Sequence, residues 1–465
     1  MKTPSSLSRR RFLEIVGLAG GAVALRTGFT PFEARAADVP TRYLLSVYFS
    51  GGWDQLLILD PRSNVQFSAA NATQTRILPG YDRVQDPWVE QVLAGNPSGV
   101  QQKGNLVFGP AIPDALSKHY LDLAICRGVA MDTLTHEVGR RYFITGKFPR
   151  GLAANGSALT TAVAWQRGQM RDLPNLSINT ESYNEGMPAY SAPISVRTAD
   201  DVRSVLRPLG VQLTGDTDSA LEAYEHERTC EQQALDGTGA ITLYRESRAK
   251  ARAMLKSQKY DLFNFSLTAP GPEVAPLFAN MKIATSTDLN GPKGRAALAA
   301  HALSTGVSQA VSVMIQNDLD DHNDWDVDHA TKLRAGFEAL GLLIDHLKAT
   351  DAPDGVGKVW DHTTLVVFSE FSRTPLINGR DGRDHHLSSS ALVAGPGIRG
   401  NRLIGASSDV GMAAQRVDFD SGLVSASGHP LRPADINATL LESMGLSWEH
   451  LSNQEPRLIR ALLAG

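Results

Sequence analysis

The last third of the chain alternates helix and strand, and this rhythm constrains the fold more than any other feature. A helical segment over residues 294–305 leads into the apolar run 309–316, and a second helical segment over 330–348 leads into 363–369. A third unit, Ser389 to Ala394, ends in Gly395-Pro396-Gly397. Strands and helices alternating at this spacing imply an α/β fold with a largely parallel central sheet. Near the front, Tyr43 to Phe49 reads as a buried first strand that ends in the glycine turn Ser50-Gly51-Gly52-Trp53-Asp54. Leu121 to Val129 reads as another strand, closed by Asp132 to Glu137, after which a helix can run to Gly146.

In open parallel sheets ligands bind outside the carboxyl ends of the strands. Asp54, Asp320, His322 and Glu370 all fall there. Carboxylates and imidazoles fixed on rigid elements are the oxygen and nitrogen donors that a divalent metal needs. Taken singly, an Asp at a strand end is more often a mere turn former; the metal reading rests on the set.

The first residues set the destination. Ser8-Arg9-Arg10-Arg11-Phe12-Leu13, an apolar stretch from Ile15 to Leu25, and Ala34-Arg35-Ala36 before Ala37 have the order of a cleaved secretory signal of the twin-arginine class. The apolar stretch falls short of the roughly 18 residues that a membrane span needs. The expected products are a signal over residues 1–36 and a mature domain over 37–465, periplasmic or secreted, without a stable membrane anchor. Removing six basic and two acidic side chains with the signal takes the formal net charge from −4 to −8, which disfavours nucleic acid as a partner. The twin-arginine translocase, the expected partner during export, carries chains already folded, so a metal acquired in the cytoplasm is compatible with this route. Cys126 and Cys230 are the chain's two cysteines, too few for a disulfide framework, and Cys126 in Leu123-Ala124-Ile125-Cys126 reads as a buried strand residue. Between about 196 and 265 the pattern turns to charged helical character, as in Ser219 to Leu235 and Tyr244 to Gln258, and reads as an insertion shaping a substrate pocket.

Glu370-Phe371-Ser372-Arg373-Thr374-Pro375, with Ile377-Asn378-Gly379 and Gly382-Arg383-Asp384-His385, resembles the signature of the DUF1501 family, a group of mostly twin-arginine-exported bacterial proteins. The Asp320-x-His322 turn, the Gly51-Gly52-Trp53-Asp54 turn and the strand from Thr363 to Glu370 match that family in order. Ser372 stands where the family usually has Gly, and His386 where it prefers an aromatic. The family is grouped with alkaline phosphatases and sulfatases, so the resemblance implies an alkaline-phosphatase-like three-layer sandwich holding one or two divalent ions (Zn, Mn, Mg or Ca). It further implies metal-binding roles for Asp54, Asp320, His322, Glu370 and His385, with Asp384 either a ligand or a partner orienting His385. Thr135 corresponds to the attacking residue, with Thr133 in reserve; as a plain reading of the residues, Thr135 is equally a helix N-cap. Arg373 is expected either to grip an anionic substrate bidentately or to form a structural salt bridge. Asp324 and His329 form a competing, lower-ranked ligand pair. One departure matters: Phe371 stands where the superfamily has a ligand histidine, which removes a donor from a second metal site.

Two functions are therefore expected to compete. One is an exported metal-dependent hydrolase of phosphate or sulfate esters, acting on an anionic small molecule or polymer. The other is a non-catalytic binding or assembly protein that keeps the fold. A carbohydrate-active enzyme with paired carboxylates is weaker, because nothing singles out such a pair.

Overall fold

The computed structural model describes residues 41–207 and 257–464, with isolated positions between 217 and 254. The chain divides into a leading unit, Met1–Thr41, and a second unit, Arg42–Gly465. The export signal, Cys230 and most of the helical segments read at 219–235 and 244–258 lie outside the described residues. Among the described residues no helix is long and apolar enough to cross a membrane.

The second unit is built on an eight-stranded sheet. Its strands, in chain order, are β1 (Tyr43–Phe49), β2 (Leu123–Ala130), β3 (Asn175–Ile178), β4 (Ile194–Val196), β5 (Ala310–Gln316), β6 (Thr363–Phe368), β7 (Ser388–Ala394) and β8 (Arg402–Ile404). Across the sheet the order is β8-β2-β7-β6-β1-β5-β3-β4. The first strand of the sequence lies inside the sheet, paired in parallel with β5 and β6. Every residue of β1 is buried, and its side chains alternate between two apolar clusters. Tyr43, Leu45, Val47 and Phe49 enter one; Leu44 and Tyr48 enter the other. That period-two division requires cover on both faces. Helices α4 (Pro292–Ser304) and α5 (Trp325–Ala349) contribute to the first cluster. Helices α1 (His136–Thr145), α2 (Leu159–Arg167) and α6 (Pro433–Ser443) contribute to the second. A short α3 (Ala199–Leu206) follows the edge strand β4, started by a capping box between Thr198 and Asp201. The architecture is a three-layer α/β sandwich, as the helix-strand rhythm implies.

The parallel rhythm breaks at one strand. β7 lies between β6 and β2 and runs against both, whereas the other neighbouring pairs are parallel. The cause is its connection. Residues 369–387 contain no crossover helix, and without one the chain returns in the opposite direction. The connection instead stays at the carboxyl end of the sheet. Cys126 sits in β2, fully buried, and burial pushes its thiol up to about 12, so it is an inert core residue.

His301 of α4 is 2% exposed and donates from Nε2 to the Leu262 carbonyl at 2.7 Å, between the rings of Phe263 and Phe265. Burial pushes its pKa down to about 4. The folded value is depressed, so as pH falls the unfolded chain takes up the proton first. Stability is therefore expected to decline from about pH 6.5 to pH 4, by about 3 kcal/mol if this group acts alone. Denaturant midpoints across that range check it, and a His301→Leu variant should show a flatter slope.

Candidate metal centre

Three segments meet at the carboxyl end of the sheet: the turn after β5, the excursion after β6, and the start of α1. Gly51 makes the first junction possible. Its φ is +113°, and a Cβ there would lie 2.6 Å from the Leu319 nitrogen and 2.7 Å from that of Asp320. Gly139 does the same for α1, where a Cβ would lie 2.2 Å from the Glu370 carbonyl oxygen. Within the excursion, Ser372-Arg373 pairs antiparallel with His385-His386, which fixes His385 opposite Arg373. Asn378 donates to the His322 carbonyl at 3.0 Å, and the Arg383 amide donates to the Asp321 carbonyl at 3.1 Å, so the excursion is tied to the turn after β5.

The half-exposed Asp320 carboxylate lies at the middle of this meeting point. His136 Nε2 is 3.3 Å from its Oδ2, while His322 Nε2 and His385 Nε2 lie 3.2 and 3.3 Å from its Oδ1. Among the described residues, His136, Asp320 and His385 form a group of metal-ligand type whose donor atoms all lie within 4.8 Å of one another. Partial burial works against the Asp320 charge. The hydrogen bond and charge of Arg373, foremost, outweigh it and hold the carboxyl at about 2.

Each imidazole is fixed through its other nitrogen. His136 Nδ1 donates to Glu370 Oε1 at 2.8 Å, His322 Nδ1 to Asp384 Oδ1 at 2.7 Å, and His385 Nδ1 to the Leu134 carbonyl at 2.6 Å. These partners select the tautomer whose Nε2 carries a lone pair. His322 Nε2 and His385 Nε2 thus face each other at 3.0 Å, and the buried His136 Nε2, which makes no hydrogen bond, faces a carboxylate oxygen. Such contacts between acceptors repel unless a proton or a metal cation lies among them. Two nitrogens held about 2.0–2.1 Å from one zinc ion stand roughly 3.0–3.4 Å apart, so the donor set fits a divalent ion. Burial opposes charge on His136, but the hydrogen bond and charge of Glu370, with Asp320, outweigh it and raise its pKa.

Of the residues expected from the sequence, Asp320, His322 and His385 come together. Asp54 does not join them. It is fully buried, takes the Leu56 amide at 2.9 Å, and stands 3.0 Å from Nε of the equally buried Arg383. Arg383 needs that counter-charge, because it stacks 4.3 Å from the Trp325 ring with its other nitrogens on the carbonyls of Leu78, Pro79 and Thr374. Glu370 is also outside the donor group. Its carboxylate takes the Gly51 amide, His136 Nδ1 and the Ser369 hydroxyl, each at 2.8 Å. Asp384 orients His322, not His385. Arg373 is 1% exposed and donates to the Gly51, Gly52 and Arg383 carbonyls and, at 2.5 Å, to Asp320. It is a clamp on the two turns, with no free face for an anion. His329 accepts the Asp54 amide at 3.1 Å and donates to Asp321 at 2.6 Å, and Asp324, at φ +48°, starts α5; neither faces the centre as a pair.

Thr135 is the N-cap residue of α1 by position, yet its hydroxyl makes no cap bond and the residue is exposed. Thr133 is buried and spends its hydroxyl on the Thr135 amide at 3.1 Å. The residue that sequence reasoning leaves without a role is His136, and its signal was its place at the first position of a helix that follows a strand end. Phe371 is buried with its ring 4.8 Å from that of His136 and 4.3 Å from that of His385, an apolar wall against both.

A family model described as a protein of unknown function, DUF1501, matches residues 41–457. No curated protein matches by sequence. Among solved structures, one similar chain is a protein in the alkaline phosphatase superfamily from Vibrio parahaemolyticus, with 8% identity and a TM-score of 0.37 over 95% of this chain and 76% of that one. Another is the lipoteichoic acid synthase LtaP from Listeria monocytogenes, with 8% identity and a TM-score of 0.34 over 91% and 77%. A third is the phosphonate monoester hydrolase SpPMH from Silicibacter pomeroyi, with 13% identity and a TM-score of 0.29 over 88% and 74%.

Proposed function

The chain belongs to the DUF1501 family, and on that premise we propose that it is an exported, metal-dependent hydrolase of phosphate or sulfate esters. The observation that carries this reading is the convergence of His136, Asp320 and His385, from three distant segments, with each imidazole tied back through its second nitrogen. Asp320, His136 and His385 would hold the ion, with His322 beside them. Bound there, a divalent ion would supply positive charge that favours an ionised hydroxyl and stabilises the ester oxygens.

Thr135 is the nucleophile in this reading. The residues on either side of it both engage the centre: the Leu134 carbonyl holds His385, and His136 is a donor itself. Its uncommitted hydroxyl stands at the start of α1, where free backbone N–H groups favour an alkoxide and an anionic ester. The Thr135 oxygen bonds to phosphorus or sulfur, the ester oxygen leaves as the protonated alcohol, and water then releases the anion. Glu370 and Asp384 keep His136 and His322 in one tautomer. Phe371 keeps water from the ring faces of His136 and His385.

Metal analysis of the purified protein and a panel of aryl phosphates and sulfates test the reading together. Thr135→Val is expected to keep the metal and lose turnover to the uncatalysed level, whereas Thr135→Ser should retain part of it. Metal without turnover of any ester on the panel would support the rival, a binding or assembly protein. Phe371 is the sequence argument for that rival; His136, packed on Phe371, supports the hydrolase by offering an imidazole beside this position.

The reading includes export through the twin-arginine translocase. Exchanging Arg9 and Arg10 for Lys is expected to leave the precursor in the cytoplasm, read by cell fractionation; unchanged export would remove that step.

A further inference from the structure

A cleft of about 830 Å³ opens at the carboxyl ends of β1, β3, β4 and β5, beside the centre. It shares structure with the centre at two points. Ser50 lines it while the next residue, Gly51, donates to Glu370. Arg140 lines it one helical turn, roughly 6 Å along the axis, from His136 on the same face of α1. A second cleft of about 540 Å³ continues from the first, since Asn179 and Arg197 line both. The strands β1, β5, β3 and β4 are neighbours at about 4.8 Å spacing, so the first cleft alone crosses roughly 14 Å.

The charge in this channel runs against the net negative charge of the chain. Arg140 and Arg197 line the first part; Arg197, Arg203 and Arg295 line the second. The acids facing them are largely committed. Glu181 is held by Arg140 at 2.5 Å and by Arg141 at 3.2 Å. Asp201 takes the backbone amides of Arg197 and Thr198 at 2.8 and 2.9 Å, and Asp200 stands 3.5 Å from Arg203. Among the described residues neither Arg197 nor Arg295 has an acidic ion-pair partner; Arg295 donates only to Asn317 and the Gly291 carbonyl. Buried in the first cleft, the Thr180 hydroxyl makes no hydrogen bond.

From this channel we infer that the protein binds an extended anionic polysaccharide, with several units lying along the arginines and one ester at the centre. The inference rests on the hydrolase reading for the fate of the bound ester, but not for the binding itself. Arg197 and Arg295, without an acidic ion-pair partner among the described residues and flanked by the ion-paired Arg140 and Arg203, suit repeated negative charges, which a small monoester does not carry. Interspersed amides, Asn179, Asn264 and Asn290, suit the hydroxyl groups of a sugar. Polyphosphate offers no donors to them, and the lining aromatics, Tyr48 and Phe265, are too buried to stack bases.

The test measures binding of a heparin-derived sulfated octasaccharide, the matching disaccharide, inorganic sulfate, and a linear polyphosphate of equal charge to the metal-loaded protein. The octasaccharide is expected to bind at least tenfold more tightly than the disaccharide or sulfate, more tightly than polyphosphate, and less tightly as salt rises. Arg197→Gln/Arg203→Gln, one exposed and one partly buried residue, should lose at least tenfold in octasaccharide affinity with little change in melting temperature. Two results would overturn the inference: an octasaccharide no better than sulfate, or affinity unchanged in the double variant. Tighter polyphosphate binding would overturn it too, in favour of a polymer without hydroxyl groups. The same titration on His385→Ala separates the two readings. Octasaccharide affinity kept there without turnover upholds the channel independently of the chemistry, and affinity lost there places the anion on the metal and overturns the channel.

Discussion

His385→Ala is expected to empty the centre of its divalent ion and to abolish ester turnover. The side chain supplies one of the three grouped donor atoms, and its Nδ1 bond to the Leu134 carbonyl fixes the stretch that carries Thr135. Loss of an outer partner of a metal ligand typically costs about 10–100-fold in affinity or activity, so loss of the ligand itself should exceed ~100-fold. Glu370→Gln supplies the scale, because it keeps His136 in place with a weakened partner and should fall within that smaller range. Metal content by elemental analysis and turnover of an aryl ester are read on the same preparations. A His385→Ala protein that holds as much metal as the parent would exclude this assignment.

Arg383→Ala should destabilise the fold by at least about 3–5 kcal/mol, the usual cost of leaving one member of a buried ion pair alone. Both Asp54 and Arg383 are fully buried, so water cannot replace the missing charge. The Leu78, Pro79 and Thr374 carbonyls would lose their donor as well. Against a typical total of about 5–15 kcal/mol, most of the protein would unfold under mild denaturant. Asp54→Ala should fall in the same range for the same reason. Chemical denaturation followed by circular dichroism gives the midpoint shift, and a shift near zero in both variants would mean that the pair is solvated.

The fold was legible where periodicity and burial decide it. β1, β5 and β6 carry side chains covered on both faces, so their composition alone marks them as strands of a covered sheet. The direction of β7 was not legible, because an apolar run reads the same in either sense and only its connection sets it. The site was legible in part. Asp320 and His322 stand out as donors next to strand ends, and those positions share one end of a parallel sheet; His385 was legible only through the resemblance to the family signature. His136 gains its role from Glu370, 234 positions away, and nothing near it in the sequence signals that contact. Asp54 misled for the converse reason: a carboxylate at a strand end faces ligand or core according to whether a buried cation waits beneath it, and Arg383 is far along the chain. Arg373 was open between substrate and structure, and the backbone carbonyls of two glycines decided it for structure.

Asp320 and the Arg373 beside it cancel as formal charges, and the three imidazoles around them are neutral when they hold an ion. The remaining acids, Glu370 and Asp384, stand behind rings, on the nitrogens that face away from Asp320. A doubly charged ion among the donors would therefore be balanced in sum by carboxylates it does not touch. Such an assembly would be neutral as a whole but polarised, positive on its open side and negative behind the rings. Its field would draw in an anion without the tight electrostatic grip that a ring of direct carboxylates would place on the ion, so a bound ion should exchange readily with a chelator in the surrounding fluid.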